Sequence, residues 1–86
     1  MTDTNDDRYS VAIALVRREL ARAVLKHTTP MRSAHEGYAI LKEEVDEMWD
    51  EIKANRLHPA RAEAIQVAAM ALRFLVDINP EENPCL

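Results

Sequence analysis

The chain has 86 residues, the size of one small domain, and a formal net charge of −4 at pH 7. Its single glycine and its many helix-forming residues indicate an all-α fold, and no run of about 18 apolar residues is present to span a membrane. The negative charge argues against direct nucleic-acid binding. One cysteine excludes a disulfide framework, and together with an acidic N-terminus without an apolar signal core it favours a cytoplasmic protein.

The N-terminal part of the chain predicts a short polar lead followed by a helix. Residues 1–7 are expected to be disordered, with Asp6 or Asp7 as a helix N-cap. The first helix is predicted over Arg8–Lys26 and ends before Pro30, which cannot continue a helix. Its expected buried stripe consists of Tyr9, Ile13, Val16, Leu20 and Val24. Three arginines lie off this stripe, and solvent is favoured over a partner's acids as their surroundings: Arg17, Arg18 and Arg22.

The most informative segment is residues 33–54, where seven acidic residues stand against two lysines. Ser33 and Glu36 have the spacing of a capping box, so a second helix is predicted to begin there. At 3.6 residues per turn this helix has one apolar face, made of Tyr38, Leu41, Val45, Met48 and Ile52. Glu44 and Glu51 border that face and Glu47 lies one step further round, whereas the remaining acids point mostly outward.

Glu44 and Glu47 are three residues apart, so their carboxylates project to the same side of the helix. Two like charges in a partly dry groove repel and raise at least one pKa unless a cation lies between them. A hard divalent ion such as Mg²⁺ relieves this repulsion because it takes oxygen ligands. The simpler interpretation, that these glutamates only favour helix and solubility, stays open from this helix alone.

A third helix is predicted over Pro59–Ile78, after a helix end at Asn55 and with Pro59 in the first helical position. This helix is apolar nearly all round, and three helices of one chain can hardly bury it on every side. Residues 8–79 are therefore predicted to form a single three-helix protomer that completes a helical bundle by homo-oligomerisation, at least as a dimer. Residues 80–86 are expected to be a flexible tail.

The short connection makes the second and third helices antiparallel neighbours. This places Glu44 and Glu47 opposite Glu63 and Gln66, which is how metal sites in helical bundles are built. The E-x-x-H repeat of di-iron bundles does not occur in the sequence, so oxygen ligands for Mg²⁺ or Mn²⁺ are preferred.

At these residues the chain resembles a known family. Residues 43–47 read E-E-x-x-E, and after a gap residues 63–66 read E-x-x-Q, nearly E-x-x-D. The two motifs, in this order on two helices, resemble the MazG-like superfamily of all-α nucleoside triphosphate pyrophosphohydrolases, especially its short phage and bacterial members. The resemblance covers roughly residues 33–78.

The resemblance implies hydrolysis of a nucleoside triphosphate between its α and β phosphates, in a homodimer or homotetramer. Carried onto this chain, it implies Mg²⁺ held by Glu44, Glu47 and Glu63, with Gln66 where the family pattern has Asp. A glutamine offers one oxygen but removes one negative charge. Either Glu43 or Glu47 is expected to orient the attacking water.

Three further residues are candidates for substrate binding. Arg73 is the first candidate for meeting the phosphates, although a salt bridge to Asp77 is an equal alternative. Trp49 or Tyr38 is a candidate for stacking on the base, but packing in the core or at a subunit interface is the favoured role for both.

A second function stays open because of Gln66. The chain would then be a non-catalytic helical oligomer of the same fold, acting as a nucleotide-binding or protein-interaction module. A coiled-coil scaffold with purely solvated acids is disfavoured because its apolar seam would be narrower than the face of the third helix.

Overall fold

The computed structural model describes residues 4–81, with side chains from Asp7 onward, and these residues form helices and no strand. The helices are α1 (Thr4–Lys26), α2 (Ala34–Lys53) and α3 (Leu57–Asp77). The all-α prediction is therefore confirmed for this part of the chain. None of the three helices is long and apolar enough to cross a membrane.

The start of α1 differs from the prediction. The helix begins at Thr4, not at Arg8, so Asp6 and Asp7 lie inside the helix and neither is its N-cap. Acidic residues are favourable in the first helical turns because the N-terminal end of a helix carries partial positive charge, which explains why the helix continues through them. The predictions for residues 1–3 and 82–86 lie outside the described residues.

The start of α2 is the predicted one. Ser33 is the N-cap in an extended conformation, and its Oγ accepts a hydrogen bond from the backbone N–H of Glu36 at 3.1 Å. The Glu36 carboxylate in turn accepts from the backbone N–H of Arg32 at 2.8 Å, one residue earlier than in a standard capping box. Two backbone donors at the start of the helix, the N–H groups of Arg32 and Glu36, are satisfied in this way.

The α2 helix ends at Lys53 with Ala54 as its C-cap, two residues before the predicted end at Asn55, and the local geometry explains the role of Asn55. Asn55 has a φ of 60°, the left-handed conformation that glycine and asparagine adopt most readily after a helix. The N–H of Asn55 donates to the carbonyl of Ile52, and the N–H of Arg56 donates to that of Glu51, both at 3.0 Å. This is a Schellman motif, and it turns the chain back within three residues.

The start of α3 corrects the prediction for Pro59. Arg56 is the N-cap and Leu57 the first helical residue, so Pro59 occupies the third helical position and not the first. The helix tolerates this because the first four N–H groups have no partner within the helix. At the other end α3 finishes at Asp77, with Ile78 as its C-cap, one residue earlier than predicted.

The central element of the fold is α3. It packs against both α1 and α2, whereas α1 and α2 have no direct backbone approach in the described part of the chain. Close packing of α2 on α3 depends on Gly37, since a Cβ atom there would lie 2.5 Å from Cδ2 of Phe74. The central place of α3 fits its apolar character on nearly every side.

The core of the single chain is small. Its buried members are Ala23, Met31, Ala69 and Met70, packed against Val16, Leu20, Ile40, Leu41, Phe74 and Ile78. The predicted buried stripe of α1 is confirmed only in part, because Val16 and Leu20 pack against the core whereas Tyr9 is 69 % exposed; on the apolar face of α2, Leu41 packs against the core and Tyr38 is 63 % exposed. Each of these helices packs on one neighbour only, so part of each stripe is left open. The other exposed members of the stripes are Ile13, Val24, Val45 and Ile52.

The molecule is flat, with principal extents of 41 × 39 × 22 Å. Its radius of gyration is 14.7 Å, compared with about 12 Å for a compact domain of this length. The outer face of α3 is also open, because Leu75 is 71 % and Val76 74 % exposed. Three helices are thus confirmed for the described residues, and their assembly with further copies into a larger bundle stays a prediction.

Candidate metal centre

Three carboxylates converge between α2 and α3. Glu44 and Glu47 of α2 and Glu63 of α3 each offer one oxygen, and these three oxygens lie within 4.8 Å of one another. The convergence follows from local structure, because Glu44 and Glu47 share one side of α2 and the turn at Asn55 folds α3 back alongside it. The predicted convergence is confirmed, and the role of these residues as ligands stays a prediction.

The environment of the three carboxylates disfavours their charged forms. Glu44 and Glu63 are half-buried, while Glu47 is exposed. Burial raises the pKa of Glu44, and the charge of Glu47 raises it further. Partial desolvation raises the pKa of Glu47, although this residue is exposed overall, and burial raises that of Glu63; the proximity of Glu63 to Glu47 and of Glu44 to Glu63 adds to these shifts.

One oxygen of Glu63 stands out. Its Oε2 is closed off from solvent and has no hydrogen-bond partner among the described residues. A buried oxygen without a partner costs free energy unless a cation or a donor satisfies it. The Oε2 atom of Glu63 is therefore an oxygen that a cation or a donor could satisfy.

No lysine or arginine among the described residues forms an ion pair with Glu44, Glu47 or Glu63. Five cations of this part of the chain pair with other acids, in the pairs Arg22–Glu19, Lys42–Asp46, Lys53–Asp50, Arg56–Glu51 and Arg73–Asp77. The crowding of the three carboxylates is therefore not relieved by salt bridges. A hard divalent cation, which prefers several oxygen ligands, fits this donor set.

A fourth carboxylate faces the same space. A cavity of about 250 Å³ is lined by the three converging glutamates together with Gln66 of α3 and Glu19 of α1. The side chain of Glu19 is only 16 % exposed, and Nε of Arg22 lies 3.2 Å from it. Burial alone would raise the pKa of Glu19, but hydrogen bonds from Gln66 and Arg22 and the charges of Arg22 and Lys26 outweigh it and lower the pKa.

Sequence reasoning missed Glu19. The available signal was that Glu19 is the lone acidic residue in the predicted first helix and borders its apolar stripe. The structure brings Gln66 to the same cavity as the three glutamates, as predicted.

A larger cavity of about 480 Å³ adjoins the acidic one and shares Glu44 with it. Glu43, the other residue predicted to orient water, is exposed and lines this larger cavity. Lys26 and His27 line both cavities. Neither was singled out from the sequence, although the basic residues gathered in the second half of α1 indicated a positive surface there.

Arg73 lines the larger cavity and also makes structural contacts. It is only 8 % exposed, and its Nη2 donates to the carbonyl oxygen of Thr29 at 3.2 Å. The same nitrogen lies 3.9 Å from a carboxylate oxygen of Asp77, which accepts a hydrogen bond from the N–H of Met31 at 2.9 Å. The predicted Arg73–Asp77 salt bridge is present, and it ties the loop after α1 to α3.

Trp49 and Tyr38 lie away from both cavities. Trp49 is 55 % exposed, and Nζ of Lys53 lies 5.8 Å from the centre of its ring. Neither aromatic residue lines the cavities that contain Glu44. The structure of the single chain therefore does not bring them to the acids, and their open faces are available for packing.

Comparison of the chain with protein-family models, with curated proteins and with solved structures finds no match.

Proposed function

We propose that the chain is a Mg²⁺-dependent hydrolase that cleaves a nucleoside triphosphate into a nucleoside monophosphate and pyrophosphate. The observation that carries this proposal is the convergence of Glu44, Glu47 and Glu63 within 4.8 Å, next to a cavity with basic residues. Acids that hold a metal beside a pocket with cations suit phosphate chemistry. The reaction itself is inferred from the likeness of residues 43–47 and 63–66 to the MazG-like motifs.

Glu44, Glu47 and Glu63 would hold Mg²⁺ or Mn²⁺, and the amide oxygen of Gln66 would be the neutral ligand. The buried Oε2 of Glu63, which has no partner among the described residues, supports this fit. When bound, the ion supplies positive charge to the phosphates and makes a bound water more acidic.

Binding the phosphates and orienting the attacking water are the roles that we assign to other side chains of the protein. Lys26 and His27 offer positive or hydrogen-bonding groups at the boundary of the two cavities, where phosphate oxygens would lie next to the acids. Arg73 adds a buried guanidinium on the wall of the larger cavity. Glu43 borders that cavity, and either Glu43 or Glu47 would accept a hydrogen bond from the attacking water and so orient it.

We further propose that the working form is a homodimer or homotetramer. The support is the open apolar surface of the protomer, which includes Leu72, Leu75 and Val76 of α3 and Val24 of α1. Large contiguous apolar patches are rare on monomers and mark interaction sites. A second copy that packed on this surface would cover α3 on the side away from the acids.

A non-catalytic nucleotide-binding or interaction module is the second candidate function. The observation that favours it is Gln66, which leaves the two motifs with one negative charge less than the family pattern. Mg²⁺ would then bind weakly or not at all, and the protein would function through its helical assembly and not through catalysis.

The experiment is a measurement of pyrophosphate released from a panel of ribo- and deoxyribonucleoside triphosphates with Mg²⁺. We expect turnover of at least one substrate, loss of turnover in Glu63→Gln, and retention in Asp50→Asn, which removes a charge on the exposed side of α2. Absence of turnover with every substrate, in a protein that is folded and binds Mg²⁺, would overturn the proposed activity and favour the non-catalytic module.

A further inference from the structure

The loop between α1 and α2 forms one wall of the larger cavity. Its first five residues, 27–31, all line that cavity and follow Lys26 at the end of α1. Four of these five residues are exposed, and only Met31, which is 3 % exposed, enters the core. An exposed loop keeps one shape only where it is anchored to a rigid element. The anchors of this loop therefore determine the shape of the cavity wall.

Two side chains of α3 anchor the backbone of the loop. Oδ2 of Asp77 accepts a hydrogen bond from the N–H of Met31 at 2.9 Å, and Nη2 of Arg73 donates to the carbonyl oxygen of Thr29 at 3.2 Å. The same Oδ2 atom lies 3.9 Å from Nη2 of Arg73, one turn earlier in α3. Only 8 % of the Arg73 side chain and 16 % of the Asp77 side chain are exposed, so solvent screens these contacts little.

Asp77 differs from Arg73 in its place relative to the cavity. Arg73 lines the larger cavity, so it can contact a ligand there directly. Asp77 lines neither of the two cavities that contain Glu44. An effect of Asp77 on a ligand in the larger cavity therefore has to pass through the loop or through Arg73.

We propose that Asp77 is a positioning residue for nucleotide binding: it holds the Met31 backbone and the Arg73 guanidinium, and so fixes the cavity wall formed by residues 27–31. This proposal rests on the proposed nucleotide site. Lys26 and His27, which we expect near the phosphates, stand at the start of this wall. A loop that has to be ordered during binding lowers the affinity for the ligand, whereas an anchored loop is already in place.

The test uses nucleoside triphosphate analogues in which a methylene group replaces the oxygen between the α and β phosphates, so that this bridge cannot be hydrolysed. Calorimetry with Mg²⁺, over ribo- and deoxyribonucleotide analogues, measures binding without turnover. We expect Asp77→Ala to weaken binding of the tightest analogue by roughly 10-fold, the equivalent of one hydrogen bond to a charged group.

Asp46→Ala is the matched control. Asp46 also forms an ion pair with a cation four residues away, Lys42, but both side chains are exposed and neither residue lines the two cavities. This variant is expected to bind the analogue within about twofold of the wild type, because exposed ion pairs contribute little. A loss as large as that of Asp77→Ala would contradict a specific role of Asp77.

Two further measurements separate positioning from a general loss of structure. In Asp77→Ala, the affinity for Mg²⁺ without nucleotide is expected to stay within about twofold of the wild type, because residues without shared contacts act independently. Amide hydrogen exchange at Met31 is expected to become faster, because the N–H group loses its acceptor. Parallel losses of Mg²⁺ and nucleotide affinity, or a weaker nucleotide affinity with unchanged exchange at Met31, would contradict the positioning role.

Asp77→Asn is a milder variant that keeps the test valid if Asp77→Ala does not fold. Its amide oxygen still accepts from the N–H of Met31, but the negative charge beside Arg73 is removed. We expect a loss of roughly threefold, since a hydrogen bond to a neutral acceptor is about half as strong as one to a carboxylate. An affinity equal to that of the wild type, or a loss as large as in a folded Asp77→Ala, would contradict positioning by this carboxylate.

The outcomes distinguish this inference from the proposed function. If the wild-type chain hydrolyses a nucleoside triphosphate and Asp77→Ala binds its analogue equally well, the positioning role is wrong and the proposed function stands. If the wild-type chain binds an analogue with the expected dependence on Asp77 but hydrolyses no substrate, the proposed activity fails and the inference stands for a non-catalytic nucleotide-binding module. A wild-type chain that binds no analogue and hydrolyses no substrate has no nucleotide site, and both proposals are then wrong.

Discussion

Glu63 lies in an environment that is unfavourable for a charged carboxylate. One of its oxygens is buried without a hydrogen-bond partner among the described residues, and its carboxylate lies beside those of Glu44 and Glu47. Such an arrangement is unfavourable for the metal-free chain, because burial and like charge both penalise the ionised form. Residues kept in an unfavourable state of this kind often belong to binding sites.

Glu63→Gln is expected to raise the free energy of unfolding of the metal-free protein by about 1 kcal/mol, because an amide removes one charge and can donate to a neighbouring carboxylate. Urea unfolding in the presence of a chelator measures this change. Asp50→Asn, which removes an exposed charge, serves as the control. A loss of stability of similar size in Glu63→Gln would show that the carboxylate is already well satisfied in the chain.

The pH dependence of stability follows from the same three residues. Because Glu44, Glu47 and Glu63 have raised pKa values in the folded chain, the folded state binds more protons than the unfolded state in the weakly acidic range. Their contribution to stability is thus present at low pH and lost as pH rises through the folded pKa values. The lowered pKa of Glu19 acts in the opposite direction.

We expect the metal-free melting temperature to rise when the pH falls from 8 toward 5, and the double variant Glu47→Gln, Glu63→Gln to show a smaller rise. Thermal unfolding in a chelator at a series of pH values tests this expectation. A melting temperature of the wild-type chain that falls steadily over the same range would contradict it.

At the scale of helices, the close contact between α2 and α3 depends on the absence of a Cβ atom at Gly37. A Cβ atom at position 37 would lie 2.5 and 2.8 Å from two ring carbons of Phe74 and 3.2 Å from the sulfur of Met31. A Cβ atom essentially never lies within 3.0 Å of another side chain, so the Phe74 ring or the helix must shift. Because this contact lies in the same helix pair as the three glutamates, a shift would also change their spacing.

Gly37→Ala is expected to lower the free energy of unfolding by about 1–3 kcal/mol through overpacking, although alanine is the better helix former. Chemical denaturation measures the loss. Ala39→Gly, at an exposed position of α2, is the control for helix propensity and is expected to cost about 1 kcal/mol. Partial rescue of Gly37→Ala by Phe74→Leu would tie the loss to the ring, whereas a stabilised Gly37→Ala would contradict the close approach.

The local chemical signals at Ser33 and Asn55 predicted the two ends of α2, whereas those at Asp6 or Asp7 and at Pro59 misplaced the starts of α1 and α3. Ser33 and Asn55 act through hydrogen bonds to residues a few positions away, so their roles can be read from spacing. The meeting of Glu44, Glu47 and Glu63 was predictable because a short turn fixes how two helices face each other. Glu19 was missed because its place in the cavity depends on how α1 packs, which no local pattern specifies.

The shape of the whole molecule leaves much apolar surface uncovered. The stripe of α1 was predicted to be buried and α2 was predicted to have one apolar face, yet in the single chain each of these helices packs only on α3. The periodic pattern therefore identified the apolar surfaces that need to be covered, but it did not identify what covers them. A second copy of the chain is the occupant that the homo-oligomer proposal assigns to them.

Leu75→Glu is expected to convert the oligomer into monomers, because it places a charge on the open apolar face of α3, where Leu75 is 71 % exposed in the single chain. Sedimentation equilibrium or light scattering gives the mass. Ala39→Glu, on the polar side of α2, is the control and is expected to leave the mass unchanged. A wild-type chain that sediments as a monomer at every concentration tested would contradict the assembly.

The central claim is that the chain binds a divalent cation at Glu44, Glu47 and Glu63, and calorimetric titration of the metal-free protein with Mg²⁺ tests it most directly. We expect saturable binding in the wild-type chain, no detectable binding in the double variant Glu44→Gln, Glu63→Gln, and unchanged binding in Asp50→Asn. We also expect Mg²⁺ to stabilise the wild-type fold by about 2.7 kcal/mol at one hundred times its dissociation constant. A wild-type chain that binds no Mg²⁺, or a double variant that binds it as well as the wild type, would contradict the claim.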